Sequence, residues 1–253
     1  RGRVDQVKGD QLPPALQDRA FKGKVYRLAE LVIDVPSLLA NLAELAGESL
    51  LAGERIEPLR EGNALVGLRV DDREIRAQRI VLSAGAGTEG LLQALGLDQP
   101  AMQTRPLHMV MAKGPNLKPL YAHCLGGGPK PRVTVTTHPA ADGQWVWYLG
   151  GDLAEADGVA REPAAQIAAA QKEIANLLPW VDQSLVRWAT LRVDRAEPAQ
   201  SGLVRPDNAF LADQQLARRG QIVQQLAHAR VAHQALHPAH HRQPLPAFHR
   251  PHP

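Results

Sequence analysis

The segment Arg79-Ile-Val-Leu-Ser-Ala-Gly-Ala-Gly-Thr-Glu-Gly90 most constrains the fold. An apolar run, Ile80-Val81-Leu82, reads as a strand buried on both faces. It enters a glycine turn at once, and a short helix is predicted over Glu89–Leu95, with Thr88 as its cap and Gly96 as its stop. Gly85, Gly87 and Gly90 match G-x-G-x-x-G in the strand–turn–helix setting where that pattern brings backbone close to a phosphate. The rest of the dinucleotide fingerprint is missing. The helix spans about two turns, and no acid lies between Asp98 and Asp142, where a ribose-binding carboxylate is expected. The turn therefore reads as a ligand-free strand-to-helix corner, a pyrophosphate cradle, or a secondary contact to a nucleotide held mainly by other residues.

Around this turn the periodicity is mixed. A helix is predicted from Asp34 and Pro36, with Leu38, Leu39, Leu42, Leu45 and Leu50 on one face and Gly53 as its end. A hairpin is predicted from Ala64–Val70 and Ile75–Ser83, turning at Asp71-Asp72-Arg73. Strands follow at Leu107–Ala112, Arg132–Thr137 and Gln144–Leu149. The last puts Trp145 and Trp147 on one face, Val146 and Tyr148 on the other. A helix over Pro163–Leu178 and a strand over Trp188–Val193 complete the pattern. This order is not a regular βαβ alternation. It predicts α/β (α+β) architecture, a nucleotide-type domain interrupted by a sheet-rich one.

Composition narrows the function classes. Apolar residues are 44% and charged residues 22% of 253, which excludes wholesale disorder. No apolar run approaches the length of a membrane helix. The single cysteine, Cys124, excludes an internal disulfide and a cysteine-rich zinc site, and reads as a plain thiol. The net charge of +3 misleads. Residues 214–253 hold five arginines, no lysine and no acid, and seven of the ten histidines, leaving residues 1–213 at −2. Basic charge without lysine or interleaved aromatics makes a weak nucleic-acid case, and no nucleic acid is expected as partner. His233, His237, His240 and His241 lack a carboxylate or cysteine for a dedicated metal site, so no metal is assigned. Metal or polyanion binding by this tail stays a separate reading.

Candidate chemistry in the body is sparse. His108, His123 and His138 have no metal-ligand spacing and read as hydrogen-bonded structural histidines. His138, where a strand enters a turn, is the candidate catalytic residue among them. Arg192 and Arg195, in Leu191-Arg-Val-Asp-Arg-Ala-Glu-Pro198, are candidate carboxylate clamps or surface ion-pair partners. The four tryptophans read as core.

Several segments, in this order along residues 24–210, resemble the D-amino-acid oxidase-like (glycine/D-amino-acid oxidase type) FAD-dependent oxidoreductases. They are Val32-Ile-Asp-Val-Pro-Ser-Leu-Leu39, Arg79-Ile-Val-Leu-Ser-Ala-Gly-Ala-Gly87, Thr104-Arg-Pro-Leu-His-Met-Val-Met111, Trp147-Tyr-Leu-Gly-Gly-Asp-Leu-Ala-Glu155 and Leu178-Pro-Trp180. The resemblance implies FAD as cofactor, a small-molecule amine or amino-acid substrate, and hydride transfer to flavin without a general base. It makes Ser83, Ala84, Gly85, Ala86 and Gly87 a secondary FAD contact and gives Arg192 the carboxylate clamp. A related hydroxy-acid oxidation is the neighbouring chemistry. It also implies a partial Rossmann-like FAD-binding domain with an inserted mixed-sheet substrate domain. The expected divisions are 1–33 (substrate-domain segment), 34–100 (partial FAD domain), 101–190 (substrate-domain sheet and helix), 191–213 (return segment) and 214–253 (disordered tail).

Residues 1–33 carry no G-x-G-x-x-G, and the chain departs from the family pattern after Phe210. The expectation is a fragment lacking the pyrophosphate motif, with a tail of frame-shifted composition and weak or absent FAD binding by itself. The cytoplasm is the expected location. The competing class is a truncated or frame-shifted pseudo-enzyme.

Overall fold

The structure, a computed structural model, describes residues 4–128, 130–155, 157–199, 210–216 and 220–226, the last two spans as backbone alone. β1 (Asp5–Val7) and β2 (Val25–Arg27) precede α1 (Val35–Ala46). Then come β3 (Ile56–Glu61), β4 (Ala64–Val70), β5 (Arg73–Arg76) and β6 (Arg79–Leu82). α2 (Thr88–Ala94) leads to β7 (Met102–Gly114), β8 (Ala122–Leu125), β9 (Pro131–Pro139) and β10 (Trp145–Gly150). α3 (Asp157–Ala160), α4 (Pro163–Leu177) and β11 (Arg187–Pro198) follow, then β12 (Phe210–Leu216) and β13 (Gly220–Leu226). Among the described residues, 4–32 and 106–193 form one compact unit, and 33–105 with 194–226 form another. The mixed α/β architecture expected from the sequence is what the chain adopts. No helix among the described residues is long and apolar enough to cross a membrane.

The first unit is built on a five-stranded sheet of order β11-β7-β10-β9-β8. β7, β9 and β8 lie antiparallel to their neighbours, with Trp147 opposite Ala112 on one side and Thr137 on the other. Period-2 alternation sends Val110, Ala112, Val133, Val135, Trp147, Leu149 and Trp188 to one face, where Ala170 and Ile174 of α4 and Leu178 just beyond it cover them. Two of the four tryptophans, Trp147 and Trp188, are core and almost fully buried, while Trp145 and Trp180 are half-buried against it; Trp180 meets Phe21 edge-on at 6.0 Å and its indole N–H donates to the Ala15 carbonyl at 3.0 Å. The opposite face carries only a small cluster, Met111, Val146 and Ala189, flanked by Ala140, Tyr148 and Leu191. Pro163 begins α4 as expected, since proline lacks only an N–H that the first turn leaves unbonded.

The second unit holds two three-stranded sheets, β3-β4-β5 and β12-β13-β6. The predicted hairpin exists as β4 and β5, turning through Asp71 at φ 52°. It breaks at Ala77-Gln78, and β6 joins the other sheet. β3 was not expected. It tolerates Pro58 because it is an edge strand with an irregular register at Leu59/Arg60.

Three expectations are corrected. Gly47, at φ 50°, ends α1 instead of Gly53. Ile80 and Leu82 are buried but Val81 is 55% exposed, so β6 is not covered on both faces among the described residues. The tail expected to be disordered from residue 214 includes the end of β12 and all of β13, which runs parallel to β6 with Ile222 opposite Ile80. The physical reason is the row of backbone N–H and C=O groups that an unpaired β6 offers. The tail histidines at 233, 237, 240 and 241 lie outside the described residues.

Asp34 caps α1 by accepting from the Ser37 N–H at 3.2 Å, yet the leucine stripe it starts is not core. Leu38, Leu42 and Leu45 are 41%, 51% and 83% exposed. Ile174→Ala should therefore cost about 2–5 kcal/mol of unfolding free energy, whereas Leu45→Gln should stay within about 0.5 kcal/mol. Urea denaturation of both variants followed by circular dichroism checks the pair.

Candidate functional site

The glycine turn forms where β6 ends. Gly85–Gly87 is one turn of 3₁₀ helix running straight into α2. Gly85 sits at φ 56°, in the left-handed region that an L side chain enters only at a cost, so its glycine is a backbone requirement. Gly87 sits at φ −76°, and a Cβ there would meet only the Ala84 Cβ at an ordinary 3.7 Å. A Cβ at Gly90 would meet nothing within 4 Å. One glycine of the three is thus demanded by the turn itself. Gly87, not Thr88, is the N-cap of α2, and no side chain caps it. Thr88 lies inside the first turn, buried, with its hydroxyl unpartnered. Gly96, at φ 70°, closes α2 as expected, its N–H bonded to the Gln93 carbonyl.

Beside the turn lies a cleft of about 240 Å³ lined from β3, β4, β6 and α2. Ser83 and Ala84 of the predicted contact line it; Gly85, Ala86 and Gly87 do not. Its wall is mostly apolar, from Ile56, Pro58, Leu68, Val81, Leu91 and Leu95. Glu57 is the charged lining residue; no lysine or arginine lines the cleft among the described residues, and Arg55 Nε stands 3.6 Å from the Glu57 carboxylate. This donor set fits a flat apolar portion of a dinucleotide. It does not fit a pyrophosphate, which a carboxylate would repel and which needs cations or a row of N–H groups. The β3 residues were missed in the sequence. The Gly62-Asn63 turn before Ala64–Val70 is the one local sign of them, and Pro58 argues against it.

The second candidate place is the face of the five-stranded sheet that α4 leaves uncovered. His138 stands opposite Val146, and Tyr148 opposite Thr136, so the two rings are diagonal neighbours on β9 and β10. They meet edge to face, centroids 4.6 Å apart. Burial pushes the His138 imidazole below its ordinary pKa and the Tyr148 phenol above its own. Both are therefore neutral near pH 7. At the β9–β10 turn Lys113 holds Asp142 at 2.8 Å, with Arg187 at 4.0 Å, and the Lys113 hydrogen bond depresses the Asp142 carboxyl.

Arg192 is not brought to this pair. It follows Trp188 by four residues on β11 and so shares that side chain's face, the face α4 covers. Its Nη1 donates to the Val159 carbonyl at 2.7 Å and its Nη2 to the Arg161 carbonyl at 2.9 Å. The expected carboxylate clamp thus meets a guanidinium already engaged by backbone. His108 is fully buried, with Nδ1 3.0 Å from the Gly158 carbonyl. His123 faces Glu30 at 3.6 Å. Burial, with Glu173 adding to it, pushes the Cys124 thiol up, away from reactivity.

No family model matches the chain. Probable FAD-dependent oxidoreductase PA4991 of Pseudomonas aeruginosa is 74% identical over 214 residues, covering 85% of this chain and 55% of that protein. Over that half, the chain is a homologue of an FAD-dependent oxidoreductase. The crystal structure of PA4991 superposes with a TM-score of 0.82 at 68% identity, covering 88% of this chain and 62% of the other. A glycine oxidase from Bacillus cereus aligns at a TM-score of 0.41 and 15% identity, over 68% of this chain and 44% of its own. The chain spans about half the length of the curated relative it matches.

Gly85→Ala should destabilise the chain by about 1–2 kcal/mol, because alanine must enter the left-handed region. Gly87→Ala should leave stability within about 0.5 kcal/mol. Equal denaturation midpoints for the two variants would remove the conformational argument.

Proposed function

We propose that this chain is the part of an FAD-dependent oxidoreductase that supplies the substrate-facing sheet and a secondary, apolar contact to the cofactor. The observation that carries the reading is the 74% identity to PA4991 over 214 residues. Such identity argues against the alternative of a decayed, inactive sequence. FAD, when bound, supplies a two-electron acceptor for a substrate C–H bond. In this reading the turn Ser83–Gly87 and the adjoining cleft would touch it through apolar surface and backbone. The cytoplasm remains the compartment in which we place the reaction.

The substrate class we favour is a small amine or amino acid. The sheet face opposite α4 suits it chemically: the neutral imidazole of His138 can accept a hydrogen bond from an amine, and the Tyr148 hydroxyl can hydrogen-bond beside it. Arg192 takes no part in this reading, since both its arms hold backbone carbonyls.

Two measurements test the proposal. The purified chain should retain little flavin, so a stoichiometric absorbance band at roughly 450 nm after gel filtration would overturn the secondary-contact reading. NMR of the ring resonances of His138 and Tyr148 should show shifts on adding N-methylglycine or D-alanine, and none on adding lactate. Equal shifts with lactate would move the substrate class to hydroxy acids.

A further inference from the structure

The segment after β10 is held down by a set of hydrogen bonds, buried at Gln166 and His108 and exposed at Arg192. Gln166 of α4 is fully buried, and its amide donates to the carbonyls of His108 at 2.7 Å and Leu153 at 2.8 Å, while accepting from Arg161 Nη1 at 3.1 Å. Arg192 grips the Val159 and Arg161 carbonyls. His108 adds the bond to the Gly158 carbonyl. A carbonyl can only accept, so the proton of the neutral ring is on Nδ1. The other ring nitrogen, Nε2, is buried without a hydrogen-bond partner. Gly158 is packed so closely that a Cβ would collide with the Leu153 carbonyl. Of the stretch Asp157–Arg161, only Gly158 is buried, so polar bonds rather than apolar packing hold it.

We propose that Asp157–Arg161 is a strap fastened to the sheet by His108 and Arg192, and that protonation of His108 loosens it. This inference stands whether or not the flavoenzyme reading does. A second proton on His108 would place a charge in a site without water access. The charged groups that face it are Arg192 from β11 and Glu162 at the start of α4, while the Arg161 guanidinium is turned to Gln166. The Arg161 carbonyl, which already accepts from Arg192, is the other backbone acceptor near the ring. Protonation therefore places a buried cation within the field of Arg192, a cost that the neighbouring carbonyls and Glu162 only partly offset.

Burial holds the imidazole below its ordinary 6.5, with Arg192 adding to the effect; the Gly158 and Arg161 carbonyls and Glu162 oppose it. The opened strap then binds the proton more readily than the closed one. Closure is at full strength above pH 6.5 and weakens as pH falls from there towards the depressed value.

Amide exchange of the full 253-residue chain, read by mass spectrometry and corrected for intrinsic pH effects, tests this. Protection across residues 157–161 should fall by up to about tenfold per pH unit once pH drops below 6.5, while β9 and β10 keep theirs. His108→Gln keeps an N–H for the Gly158 carbonyl and cannot titrate, so its strap should show no such fall. Arg192→Met should lower strap protection already at pH 7.5. A flat wild-type profile, or a His108→Gln profile that follows the wild type, overturns the proposal. If His108→Gln does not fold, NMR titration of His108 in the wild type decides. A midpoint below 6.5 that coincides with strap opening supports the proposal, and a midpoint at or above 6.5 overturns it.

Discussion

Gln166 is the interaction on which the first unit depends. It sits on the inner side of α4, fully buried, and its amide uses both N–H groups and its carbonyl on partners outside the helix. An apolar residue there would leave the His108 and Leu153 carbonyls short of a donor, at about 1–3 kcal/mol for each group left unpaired. The bonds set where α4 rests on the sheet, and so where Ala170 and Ile174 meet Trp147 and Leu149. One helix anchored in this way covers one sheet face. The other face is left to Thr136, His138, Val146 and Tyr148, a mixture that a sealed core would not contain.

The same division of faces separates the two residues that sequence reasoning had grouped as catalytic. Side chains on a strand alternate, so Arg192 follows the parity of Trp188, and His138 that of Thr136. Both assignments were legible. Trp188 is a core residue by type, and Arg192 lies an even number of positions after it. What could not be read was the partner of Arg192. The Val159 and Arg161 carbonyls become its acceptors only because α3 folds back over β11, a tertiary event with no local signature.

Elsewhere legibility follows the range of the interaction. The Asp34 cap, Pro36, Pro163 and the Asp71-Asp72 turn act within a few residues, and each was readable. β3 was not, because Pro58 argues against a strand unless that strand is known to be an edge. β13 was not, because its Gln-rich sequence offers no alternation and its partner β6 lies more than a hundred residues away. The leucine stripe of α1 was readable as a helix face but not as an exposed one. Periodicity reports which side is apolar and nothing about what meets it.

The glycine motif shows the limit of pattern matching from the opposite side. Three glycines match, yet only Gly85 has a backbone angle that excludes other residues. A phosphate cradle needs its glycines for close approach and needs charge to balance the anion. Here two glycines face open space or an ordinary contact, α2 is seven residues long, and the neighbouring cleft carries a carboxylate in place of a cation. A dinucleotide brought to this wall would have to find compensation for its phosphates on other residues, because the lining offers no cation and its one charge, Glu57, is already paired with Arg55. The cleft beside the turn thus suits an apolar ligand surface better than a phosphate. That follows from local charge and conformation alone.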